Sequence, residues 1–80
     1  MKKYPDYYAE AEELAALLEQ EGLPDDAKNI RDAIKFRFTA TEILMGIKWH
    51  LHRFVSLGQG SEETREYAKK LILKIEKALP

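Results

Sequence analysis

The sequence predicts an all-α fold, a compact bundle of four short helices, and three observations carry that reading. Apolar residues recur at helical spacing, as in Tyr7, Ala11, Leu14 and Leu18. Helix stop and start signals divide the chain at Gly22-Leu23-Pro24, Thr39 and Gly58-Gln59-Gly60-Ser61. The 80-residue chain combines 45% hydrophobic with 34% charged residues, as in a single folded domain spanning residues 1–80 rather than a disordered chain.

The expected helices run over about 6–21, 24–37, 40–57 and 61–78. Pro5 and Asp6 open the first, whose stripe of Tyr7, Ala11, Leu14 and Leu18 is supported by Leu17. Gly22 is placed to close it in the left-handed conformation, with Leu23 supplying the accompanying hydrophobic contact. Pro24 suits the first turn of the second helix, where its missing N–H costs nothing, and Asp25 and Asp26 complement the positive end of the dipole. Leu23, Ala27, Ile30, Ile34 and Phe38 form its stripe. In the last helix Ser61 is the N-cap, and Tyr67, Ala68, Leu71, Ile72, Ile75 and Ala78 face inward. Lys69, Lys70, Lys74 and Lys77 lie toward its negative end.

The join at residues 35–39 admits two readings. Thr39-Ala40-Thr41-Glu42 matches a capping box, which ends helix two near Arg37 and begins helix three at Ala40. Without that break, three helices remain, with a long central one of about 32 residues and about 48 Å. The capping box favours the break.

Helix three has apolar residues on two faces. Ala40, Ile43, Leu44, Ile47, Leu51, Phe54 and Val55 gather on one side; Thr41, Met45, Trp49, His52 and Ser56 gather on the other. A surface helix of a small domain needs one such face. The second is either covered by helix one or two, making helix three central, or kept for a partner. Trp and Met are enriched at interfaces, and Met adapts its shape to irregular partners. Gly46 costs about 1 kcal/mol relative to Ala inside a helix, a cost that close approach of another backbone or ligand would offset. Met45, Gly46, Trp49, His52 and Arg53 are therefore the candidate partner-binding residues.

Other functions find less support. His50 and His52 stand about 200° apart on a helix and cannot ligate one metal, although His/Met ligation across a dimer is conceivable. Glu42 is explained as the capping acid. No Ser-His-Asp set, phosphate-binding glycine loop or carboxylate pair can be assembled, so no enzymatic activity and no cofactor are expected. A net charge of -1 creates no field for nucleic acid. Helix three opens with an acid where phosphates would lie, and helix four has Glu62, Glu63 and Glu66 at the end that would face DNA. With no cysteine there is no disulfide, thiol catalysis or thiolate site. Lys48, His50, His52 and Arg53 interrupt the longest apolar stretch, so no membrane span is expected, and the first ten residues do not read as a signal peptide. Residues 4–26 carry eight acidic side chains and no basic ones, whereas residues 35–53 are basic. Helix one thus either offers an acidic partner surface or solvates its outer face while attracting the basic middle of the chain.

The run Thr39-Ala40-Thr41-Glu42-Ile43-Leu44-Met45, followed by Trp49-His50-Leu51, resembles a motif of small uncharacterised bacterial helical proteins, chiefly over residues 30–57. That resemblance implies a bacterial, cytoplasmic, all-helical protein without known catalytic residues. Because some small helical families act as immunity or antitoxin partners, it also implies a toxin as one class of partner. The flanking segments are idealised in propensity and capping and resemble computational design, in which case the chain is a scaffold without biological function and the middle is the retained part. The reading that results is a non-catalytic interaction module binding itself, as a homodimer, or another protein through Met45, Trp49 and His52. The alternative is a small-molecule binder with a pocket floored by Gly46 and walled by Trp49.

Overall fold

A computed structural model describes residues 7–36 and 39–79. It contains α1 (Tyr7–Gln20), α2 (Pro24–Lys35), α3 (Ala40–Ser56) and α4 (Glu62–Ala78), with no strand among the described residues. The four-helix expectation holds, with each end at the anticipated residue or within two residues of it. Pro5, Asp6, Arg37 and Phe38 lie outside the described residues.

Local chemistry sets the boundaries. Gly22 has φ +79°, and the Leu23 N–H donates to Leu18 O at 2.8 Å while the Gly22 N–H donates to Glu19 O at 3.1 Å. These two bonds form a Schellman motif that satisfies the last carbonyls of α1. Pro24 occupies the first turn of α2. The break between α2 and α3 is present. Phe36 closes α2 at φ -109°, ψ 16°, and Thr39 is extended at φ -113°, ψ 156°. The single long central helix is thereby excluded. Thr39 and Glu42 make both bonds of the capping box, and Ser61 Oγ accepts from the Thr64 N–H.

The helices form a ring in which α1 packs on α2 and α4, and α3 packs on α2 and α4. Leu14, Leu18, Ile30, Ile47, Leu51, Phe54, Leu71 and Ile75 are the large side chains fully buried inside it. Ala11, Ala15, Ala27, Ala33 and Ala68 are buried among them, and such small side chains let helix axes approach closely. Two expected inward positions, Ala40 and Ala78, are exposed, each in a terminal turn of its helix at the margin of the core. Thr64, unanticipated inside, is 3% exposed. Among the described residues no helix is long and apolar enough to cross a membrane.

Candidate functional site

The capping box fixes where α3 begins. The Thr39 N–H donates to Glu42 Oε1 at 3.2 Å, and the Glu42 N–H donates to Thr39 Oγ1 at 3.1 Å. From that start, Leu44, Ile47, Leu51 and Phe54 turn into the core, with Ile43 and Val55 half-buried against it. The opposite face is open. Met45 is 56% and Trp49 58% exposed, His52 and Arg53 are exposed, and Gly46 is buried between them. The ring explains this: among the described residues α3 packs chiefly on α2 and α4, and its outer side faces away from both.

The Trp49 indole is held by its own helix. The Arg53 guanidinium lies 5.8 Å from its ring centroid, and the His50 ring meets it edge-on at 5.0 Å with an 89° interplanar angle. These are cation–π and T-shaped arrangements, both favourable to an aromatic quadrupole.

Two depressions flank Met45 and Trp49. One, of about 520 Å³, is a groove between α3 and α4 lined by Thr41, Met45, Lys48, Trp49, His52, Glu76 and Leu79. Glu76 Oε2 lies 3.8 Å from Lys48 Nζ and 3.7 Å from His52 Nε2. Both distances exceed a hydrogen bond, and the Lys48–Glu76 pair is a solvent-screened charge contact. The other, of about 420 Å³, is lined by Met45, Gly46, Trp49 and His50, all within two turns of α3. Glu76 and Leu79 were not foreseen, since nothing in one sequence fixes the register of α4 against α3.

No known protein family, curated protein or solved structure matches the chain. The resemblance over residues 30–57 thus stands on its residues alone, and what the site can do has to come from its geometry. Among the described residues no cluster of His, Asp and Glu side chains is placed to hold a metal ion.

The acidic side chains of α1 are engaged within the chain. Arg31 bridges Glu12, at 3.0 Å, and Glu19; Lys74 Nζ lies 3.0 Å from Glu10 Oε1; the Tyr67 hydroxyl donates to Glu13. Burial, and then the bond to Glu13, raises the Tyr67 phenol above its ordinary value. Among the described residues, the expected attraction between α1 and residues 35–53 is not what forms. The partners come from α2 and α4, because the ring places those helices, and not α3, beside α1. At the end of α1, Glu21 accepts from the Ser61 N–H at 2.7 Å, Ser61 Oγ at 2.9 Å and Thr64 Oγ1 at 2.6 Å. A carboxylate from one helix end thereby caps the positive end of another. A third depression, about 670 Å³ between α1 and α4, is rimmed by Glu10, Glu13, Glu62, Glu63 and Glu66, with Lys70 and Lys74 balancing part of that charge.

Proposed function

We propose that the chain is a non-catalytic helical interaction module that binds protein through the outer face of α3. Met45, Trp49, His52 and Arg53 are its contact residues and Gly46 its low point. The observation that carries this reading is the exposure of Met45 and Trp49 side by side, one turn apart, on a helix whose opposite face buries Leu44, Ile47, Leu51 and Phe54 in the core. Single exposed apolar side chains are ordinary on a protein surface. Here a Met and the chain's one Trp share both adjoining depressions, and a cation already stacks on the indole. Aromatic, Met and Arg side chains together are the composition enriched at interface centres.

A protein surface fits these depressions better than a small molecule. A ligand pocket encloses most of its ligand, whereas the depression at Gly46 is lined by a single helix. A helix laid alongside supplies the missing wall.

A benzophenone amino acid replacing Thr41, which lines the groove, tests the reading. Irradiation in the native host gives a discrete protein adduct, and Trp49→Ala in the same chain abolishes it. An absent adduct, or one indifferent to Trp49→Ala, refutes the proposal.

A further inference from the structure

Glu42, Gly46, Trp49 and Arg53 follow one another along α3 at intervals of four, three and four residues. That spacing keeps them in one row, because eleven residues at about 100° each complete three turns with about 20° to spare. The row reads acid, gap, aromatic, base. Glu42 and Arg53 are separated by about 16 Å along the axis, at 1.5 Å per residue. The midpoint between Gly46 and Trp49 is also the midpoint between Glu42 and Arg53.

A row with that symmetry is complementary to its own reverse. We infer that the occupant of the α3 face is a second copy of this chain, docked with the two α3 helices antiparallel about a two-fold axis between Gly46 and Trp49. This inference rests on the interaction reading above and names its partner. In that arrangement Trp49 of each copy enters the depression at Gly46 of the other. The carboxylate of Glu42 meets the guanidinium of Arg53, twice over by symmetry. An isologous interface requires this self-complementarity, in which one residue faces another and the reverse pair repeats across the axis.

Each part of the row has a physical reason to be there. Gly46 presents no side chain, so helix axes can approach toward the short end of the usual 8–10 Å. The depression beside it is about 420 Å³ and lined by Met45, Trp49 and His50 as well, which gives an entering indole apolar and aromatic walls. Arg53 already lies over Trp49 of its own chain, so an incoming Glu42 finds the cation in place. A parallel pairing would set Glu42 against Glu42 and Arg53 against Arg53, and like charges across an interface disfavour it. A contact of about three helical turns is small by interface standards.

Sedimentation velocity across a concentration series tests the inference, with circular dichroism confirming that each variant stays helical. The chain sediments as a dimer of two 9.3 kDa protomers at high concentration and dissociates on dilution. Trp49→Ala weakens the dimer at least about tenfold, the scale of losing a central aromatic anchor. Glu42→Arg and Arg53→Glu chains are each monomeric alone and form a heterodimer when mixed, because mixing restores both opposite-charge pairs. A wild-type chain that stays monomeric at every concentration overturns self-association, while the crosslinking experiment still decides whether the face binds another protein. A dimer unaffected by Trp49→Ala overturns both this inference and the reading of the face. A dimer that needs Trp49 but whose charge-reversed chains do not pair overturns the antiparallel register.

Discussion

Replacing Gly60 by Ala tests the account of how the ends of α1 and α4 are held together. Gly60 has φ +77°, and a Cβ there would lie 3.0 Å from Phe54 Cζ and 3.0 Å from Glu21 Oε1. Neither neighbour can give way freely. Phe54 is a buried core ring, and Glu21 Oε1 accepts the Ser61 N–H. Gly58 supplies the internal control, with φ +67° and nothing within 4 Å of its Cβ position. Both Ala variants incur the left-handed backbone penalty of about 1–2 kcal/mol. Gly60→Ala adds an overpacking cost of about 1–3 kcal/mol, for a total of about 2–5 kcal/mol. A domain of this size has about 5–15 kcal/mol or less to lose, so the difference is large. Urea unfolding followed by circular dichroism, in dilute samples that keep the chain monomeric, reads both variants on one scale. Equal losses at Gly58 and Gly60 would show that the packing around Phe54 and Glu21 is not what constrains the loop.

Other outcomes follow from the same structure. Leu51→Ala, at a fully buried site, lowers monomer stability by about 2–5 kcal/mol, whereas Trp49→Ala lowers it by no more than about 1 kcal/mol; denaturant midpoints compare them, and a Trp49→Ala loss as large as that of Leu51→Ala would make the indole part of the core. Thr39→Ala removes the cap of α3 and costs about 1 kcal/mol, with hydrogen exchange rising first in the opening turn of that helix. The Glu21 carboxyl is held below its ordinary 4.5 by the hydrogen bond from Thr64 and then by the N–H of Ser61. A carboxyl lowered on folding adds stability that is complete above its unfolded pKa and disappears as pH falls through the folded one. The Tm advantage of the wild-type chain over Glu21→Gln therefore holds at neutral pH and closes below about pH 4.5, and a gap unchanged by acid would contradict the latch.

Helix boundaries were legible where a specific residue must satisfy orphan backbone groups. Gly22, Thr39 and Ser61 each do so, Pro24 removes one such donor outright, and each stands where the sequence placed it. The end of α2 carries no such residue, and its expected end at Arg37 overshot Lys35 accordingly. The large core side chains were visible as periodicity, whereas Ala15, Ala33 and Thr64 were not, because small or polar residues leave no mark in an apolar pattern. The two faces of α3 were equally plain. Which of them is covered depends on where the other helices sit, and that is a property of the ring. The same reason hid Glu76: a residue at the edge of α4's stripe becomes part of the site only through its register against Lys48 and His52.

The site and the scaffold make separate demands on α3, and the helix meets them on separate sides. Its cap and its inner residues set the register; of its outer row Glu42 also serves the cap, while Trp49 and Arg53 take no part in closing the core. Binding through such a row is favoured when its anchor is already ordered, since immobilising a flexible interface side chain costs about 0.5–1.5 kcal/mol. Trp49 meets that condition in the single chain. With Arg53 over its face and His50 against it, the indole stands in a defined position before any partner arrives. Those contacts contribute little to the fold, because exposed pairs of this type are worth about 0.5–1 kcal/mol. Their larger effect is on association, where an anchor held ready on a rigid helix converts more of its buried area into affinity. Arg53→Ala therefore weakens partner binding through Trp49 as well as through its own charge. The measurable sign is a Trp49 fluorescence anisotropy that falls in the free monomer, with stability lowered by no more than about 1 kcal/mol; an indole equally ordered without Arg53 would leave only the charge.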